Sequence, residues 1–254
     1  MAADPAAETT EDAALGGRLL LRQPRQGHRF GHDAILLAAA CSVHAGEHLI
    51  DLGAGVGTAG LAVAHRVDNL AVTLVETDSA LVTLAGANAA RNGLAGRVTA
   101  VHLDVGASVA AFAVARLQPG VADHVIMNPP FNAPENPSPH GGRRLAHNAA
   151  GDTLASWLKT ASRLLRPDGA VTLIWRADAL DTVMAEISEG FGAIAVLPIH
   201  PKPDTPAIRV LVRGVKSSRA PFSLLPSFFL ADRAGKPTAE AEAVLRAAAA
   251  LPLG

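Results

Sequence analysis

The sequence predicts an α/β fold: a doubly wound, mostly parallel sheet of seven strands with an antiparallel pair at its C-terminal end. Three observations carry this. Short apolar runs alternate with segments of helical spacing from residue 48 to residue 215. Hydrophobic residues make up 49% of the 254 and charged residues 18%, which suits a sizeable core rather than a disordered chain. The last two apolar runs are joined by the short Pro-rich stretch PKPDTP, and so short a link allows only an antiparallel hairpin.

Residues 1–15 read as a disordered acidic tail, followed by a single domain over 16–254. That domain divides into a lead-in segment (16–45), a core (46–215) and a C-terminal extension (216–254). Within the lead-in, a Gly- and Arg-rich stretch precedes a short helix over 33–41 with Asp33 as its cap. Strands follow at 48–53, 71–76, 97–104, 123–131 and 170–175. The helices between them span 58–67, 79–93 with Gly93 as the stop, 105–117 and 152–165. Residues 132–151 lack periodicity and are rich in Pro, Gly and His, so they read as a loop. A helix over 179–191, strands at 193–200 and 207–215 and a terminal helix over 239–251 complete the chain.

Charge and cysteine usage narrow the function classes. A formal net charge of -1 excludes an overall basic coat. The single cysteine, Cys41, excludes a disulfide framework and a multi-thiolate metal site; it lies in an Ala-rich apolar run and reads as core filler. No metal is expected: His28 and His32 are four apart, but no acid or Cys accompanies them at a ligand spacing. No apolar run reaches the roughly 18 residues a membrane helix needs. The acidic start does not read as a signal peptide, so a cytoplasmic setting and no membrane partner are expected. The sequence carries no signature of a homodimer.

In a doubly wound sheet the ligand sits outside the carboxyl ends of the strands. Three segments there, after the first, second and fourth strands, carry unusual residues, and the third strand ends in an acid. After the first strand the turn reads Asp51-Leu52-Gly53-Ala54-Gly55-Val56-Gly57-Thr58. Thr58 stands where a dinucleotide fingerprint would place its third glycine, and no Lys-Ser or Lys-Thr follows as in a phosphate-cradling loop. Glu76 ends the second strand, where a carboxylate can accept both hydroxyls of a ribose. Asp104 ends the third and suits the exocyclic amine of an adenine. After the fourth strand comes Asn128-Pro129-Pro130-Phe131. The prolines lack N–H groups but keep their carbonyls, and Asn128 adds another acceptor. Phe131, in a chain with 4% aromatics, is placed to stack on a planar ring. Together these suit a flat amino-bearing substrate beside an adenosine.

At these residues the chain resembles a known family. DLGAGVG (51–57), Glu76 and the Asn-Pro-Pro-Phe tetrad, preceded by QPRQGHRFGHDAILLAAA (23–40), look like the class I S-adenosylmethionine-dependent methyltransferases with a Rossmann-like fold, and within them the bacterial tRNA1(Val) adenine-N6-methyltransferases. The resemblance implies S-adenosylmethionine as methyl donor, held by Asp51, Gly53, Gly55, Gly57, Glu76, Asp104 and Asn128, with Asp33 in a helix that closes over the donor's methionine end. Asn128, Pro129, Pro130 and Phe131 would receive the target amine. The implied activity is methylation of an exocyclic adenine nitrogen in RNA, most readily tRNA. Three stretches rich in Arg, Lys and His with few acids suggest the RNA rim: Arg25 and Arg29, Arg143 and Arg144, and Lys202 and Arg213. Two other readings stay open. A protein glutamine N-methyltransferase uses the same Asn-Pro-Pro, though only about 45 residues precede the first strand here; a non-catalytic adenosine- and RNA-binding subunit would have no need of an intact tetrad.

Overall fold

The computed structural model describes residues 9–25, 31–130, 142–251 and 253, with the side chains of 142–150 outside the description. The chain opens with a hairpin, β1 (Thr9–Ala14) against β2 (Leu19–Pro24), antiparallel throughout. The tail expected over 1–15 is therefore ordered from Thr9 onward. Leu15, Leu19 and Leu21 are buried in the main core, and this docks the hairpin. The two acids of that stretch among the described residues are paired: Glu11 with Arg22 and Arg91, and Asp12 with Thr10 and Gln23.

The main chain then runs α1 (His32–Ala40), β3 (His48–Leu52), α2 (Thr58–Arg66), β4 (Ala71–Glu76), α3 (Ser79–Arg91), β5 (Val98–His102), α4 (Val109–Val114), β6 (Ala122–Met127), α5 (Gly142–Leu164), β7 (Leu165–Arg176), α6 (Leu180–Ile187), β8 (Phe191–His200), β9 (Arg209–Lys216), β10 (Ser223–Leu224), β11 (Phe228–Phe229) and α7 (Ala239–Ala247). The seven expected strands are present in one sheet, in the order β8-β9-β7-β6-β3-β4-β5, and two-residue strands β10 and β11 add to β8. In this sheet, among the described residues, only β9 runs against both its neighbours. Both faces are covered, which is why the central strands read as continuous apolar runs. The hairpin and α1, α2, α3 and α7 cover one face; α4, α5 and α6 cover the other.

Several boundaries differ from expectation, three of them as follows. Helix α5 begins at Gly142, inside the stretch read as a loop. Strand β7 reaches back to Leu165 through an irregularity in its pairing with β6, where Asp168 takes a left-handed φ of 61°. Helix α4 starts only at Val109 because Ser108 caps it, its hydroxyl accepting from the Ala111 N–H. Register sets the site: Leu52 pairs with both Val75 and Met127, so residues 53–57, Glu76 and Asn128 leave the sheet at one level.

Candidate functional site

Each glycine after β3 is needed for a different reason. Gly53, Gly55 and Gly57 all hold left-handed φ values, 70°, 57° and 88°. A Cβ on Gly53 would overlap the ring of Trp157 in α5, and one on Gly57 would press on Leu74. Nothing lies within 4 Å of a Cβ built on Gly55, so this is where the loop backbone lies open to a ligand. The Gly53 and Ala54 N–H groups donate to the Val75 carbonyl at 2.9 and 3.0 Å, which pins the loop to β4.

Asp51 is buried beneath this loop, and its Oδ2 accepts from the Gly60 N–H at 2.9 Å. Burial, with the Glu76 charge adding to it, pushes its carboxyl up to about 7, against the opposing pull of the Gly60 N–H. Asp51 thus fastens the first turn of α2 from behind. Glu76 braces the front: Oε2 accepts from Gly55 N–H at 2.8 Å, and Oε1 from Thr77 and Asp78 N–H at 2.7 and 2.9 Å. Oε1 thus has both lone pairs engaged, while Oε2 keeps a second one for a ligand.

Asp104 lies two residues past β5 in an exposed turn, its Oδ1 accepting from Gly106 N–H at 2.7 Å. His102, at the end of β5, pairs in register with Glu76, and its Nε2 lies 2.8 Å from the Thr77 carbonyl. Only strand register sets His102 beside Glu76, and only helix packing brings Trp157 against Gly53. Asn128 follows β6 directly, and its Oδ1 is buried with no hydrogen-bond partner among the described residues. Pro129 is buried and Pro130 exposed. Phe131 lies outside the described residues.

Asp33 does not cap α1; Gly31 holds that position. Its carboxylate instead accepts from Arg209 Nε at 2.8 Å, joining α1 to β9 at the same sheet edge. Among the RNA candidates, Arg25 and Lys202 are exposed. Lys202 lies in the turn between β8 and β9, and Arg25 follows β2. Arg213 departs from the rim reading: it sits mid-strand in β9 opposite Thr172, half-buried, and its Nε is buried without a partner among the described residues. Burial lowers its pKa. Arg29 lies outside the described residues; Arg143 and Arg144 fall in the first turn of α5, and their side chains lie outside the description. Among the described residues, no group of three or more His, Cys, Asp or Glu could hold a metal, and no helix is long and apolar enough to cross a membrane.

A family model described as the methyltransferase small domain matches residues 29–201, about two thirds of the chain. The chain belongs to that family. Among proteins similar to it, a tRNA1(Val) (adenine(37)-N6)-methyltransferase of Dyadobacter fermentans is 27% identical over 198 residues, covering 76% of this chain and 78% of the relative. One of the same name from Pedobacter heparinus is 25% identical over 186 residues, covering 72% and 76%. A crystal structure of a predicted O-methyltransferase from Agrobacterium tumefaciens superposes with a TM-score of 0.73 at 28% identity, covering 86% of this chain and 98% of that one. A tRNA (m1A58) methyltransferase from Aquifex aeolicus, 17% identical with a TM-score of 0.53 over 77% and 72% of the two chains, shares the fold. This family member is a methyltransferase with S-adenosylmethionine as its donor, and the site fits that group: an open backbone at Gly55 and, beside it, a carboxylate acceptor at Glu76 Oε2. The hairpin and everything from β9 onward lie outside the matched span.

Proposed function

We propose that the chain methylates the exocyclic amino group of an adenine in tRNA, in the cytoplasm. The observation that carries this is the Asn128 carbonyl oxygen, buried and unpaired among the described residues at the end of β6. A buried acceptor without a donor costs about 1–3 kcal/mol, and a planar N–H donor would recover it. The following two residues are prolines, so their backbone offers acceptors and no competing donor.

The backbone of residues 53–57 would hold the donor's amino acid end, Glu76 its ribose hydroxyls and Asp104 its adenine. The bound donor supplies an electrophilic methyl on a sulfonium. What the protein must add is orientation, because an aromatic amine shares its lone pair with its ring. Asn128 Oδ1 and the Pro129 carbonyl would each accept one amino hydrogen, which favours a pyramidal nitrogen with its lone pair turned toward the donor side. Phe131 would stack on the ring. Exposed Arg25 and Lys202, with Arg29, Arg143 and Arg144, would hold the RNA backbone while the adenine is splayed out.

The test is incubation with labelled S-adenosylmethionine, unmodified tRNA and a protein fraction, then nucleoside and amino acid analysis. Label is expected in N6-methyladenosine. Label in glutamine, in a ribose or other hydroxyl oxygen, or in nothing despite donor binding would replace the adenine reading with the glutamine, O-methyl or non-catalytic one.

A further inference from the structure

The N-terminal hairpin is fastened to α3 by two side-chain amides that act as a surrogate strand. Asn92 Oδ1 accepts from the Leu20 N–H at 2.9 Å, and its Nδ2 donates to the Leu20 carbonyl at 2.8 Å. Asn88 repeats the pattern one helical turn earlier: Oδ1 accepts from Arg22 N–H at 2.7 Å, and Nδ2 donates to the Arg22 carbonyl at 3.0 Å. The spacings match, since four helical residues rise about 6 Å and two strand residues advance about 6.6 Å. Asn92 also donates to the Asn88 carbonyl at 2.8 Å.

Asn88 does one thing more. It is fully buried, and Nδ2 also donates to the carbonyl of Val56 at 3.0 Å. Val56 stands between Gly55 and Gly57, both in left-handed conformations. Its carbonyl shares one rigid peptide plane with the Gly57 N–H, which itself donates to the Ala54 carbonyl at 2.8 Å. The amide therefore holds a peptide plane that glycine's freedom would otherwise leave loose. One side chain touches both the hairpin, outside the matched family span, and the loop over which the donor would lie.

We propose that Asn88 is a positioning residue for the methyl donor, coupling the β1–β2 hairpin to the glycine loop so that donor binding and hairpin docking strengthen each other. This rests on residues 53–57 being the donor loop. Asn92 is the matched control, because it holds the hairpin equally well without touching the loop.

S-adenosylhomocysteine serves as the probe in calorimetry, with donor KM and kcat measured alongside on the full chain. Asn88→Ala should weaken probe binding and raise donor KM by tenfold or more, with kcat at saturating donor within twofold. Asn92→Ala should change each by less than twofold, although both variants melt below the wild type. Equal losses in the two variants, or a probe affinity in Asn88→Ala within twofold of wild type, would overturn the coupling. If Asn88→Ala does not fold, hydrogen exchange on the wild type decides. Probe binding should slow exchange at the Leu20 and Arg22 amides as well as in residues 53–57, and protection confined to 53–57 would overturn the proposal. Failure of the wild type to bind the probe at all would overturn the donor reading itself, and the coupling with it.

Discussion

The ends of β3 and β4 and the end of β6 sit at one level of the sheet, yet they are finished in opposite ways. On the β3–β4 side both carboxylates are engaged: Asp51 with Gly60, and Glu76 with Gly55, Thr77 and Asp78. On the β6 side the Asn128 oxygen is buried with no partner among the described residues. One side is rigid before anything binds. The other carries an acceptor that no described residue meets and that a substrate of the right chemistry would complete. Such a division suits an enzyme that must hold its donor in one pose and read its acceptor by what that acceptor can donate.

Asn128→Ala breaks this contrast most directly. Turnover on tRNA should fall by about 10²–10⁴-fold, while calorimetry finds donor affinity within about threefold of wild type. Near-normal turnover would mean that the unpaired oxygen has no part in the reaction. Glu76→Ala strikes the other side. It should weaken S-adenosylhomocysteine binding by about 1.5–3 kcal/mol, roughly 10- to 150-fold, through loss of a charged acceptor and of the Gly55 brace. Unchanged affinity would remove the ribose-binding role.

Gly53→Ala tests rigidity without touching a polar group. The new methyl meets Trp157 and the left-handed backbone, so a loss of about 1–3 kcal/mol in denaturant unfolding is expected. Gly55→Ala should cost less, about 1 kcal/mol, because its strain is in the backbone alone. Equal costs would show that Trp157 can move aside.

The pH dependence of stability sharpens the contrast between buried groups. His124 is buried against Thr172, and burial, reinforced by the Arg213 charge, lowers its pKa to about 3. Its folded value lies below its unfolded one, so its contribution is present above about pH 6.5 and is lost progressively as pH falls toward 3. Asp51 runs the other way. Raised to about 7, it contributes below its ordinary carboxylate range and loses that contribution as pH rises through 7. Between about pH 4 and 6.5 the two oppose each other. Melting curves across that range should show Asp51→Asn losing stability more steeply on acidification than the wild type, and His124→Asn less steeply. Parallel curves for all three would mean that neither group titrates as its surroundings dictate.

The smallest expected effect lies at the rim. Lys202→Glu should raise KM for tRNA a few-fold and reduce the slope of log affinity against log salt by about one or two, with donor affinity unchanged. An unchanged slope would take Lys202 out of the RNA surface.

Much of this molecule is legible in its residues. The alternation of runs predicts all seven principal strands of the sheet, and β4 lies where its apolar run ends, at Glu76. The glycine turn, Glu76 and Asn128 fall at one sheet edge as the strand–helix pattern requires, because local periodicity and strand ends are properties of neighbouring residues. The family match over 29–201 covers that same part of the chain.

What only the tertiary structure decided depends on partners far away in sequence. Thr9–Ala14 looks like a solvated acidic tail until Arg91, 80 residues on, meets Glu11 and the leucines beside the strand find the core. Arg213 looks like a rim cation until Thr172 and its neighbours enclose it, and Asp33 looks like a cap until Arg209, 176 residues on, takes its carboxylate. Gly53 must be bare because Trp157 arrives from α5, and Asn88 reaches Val56 and Arg22 at once because packing sets both beside α3. A residue's intrinsic preferences are written in the residues next to it. Which charge is neutralised, which amide is satisfied and which oxygen is left waiting depend on atoms that only folding brings within about 3 Å.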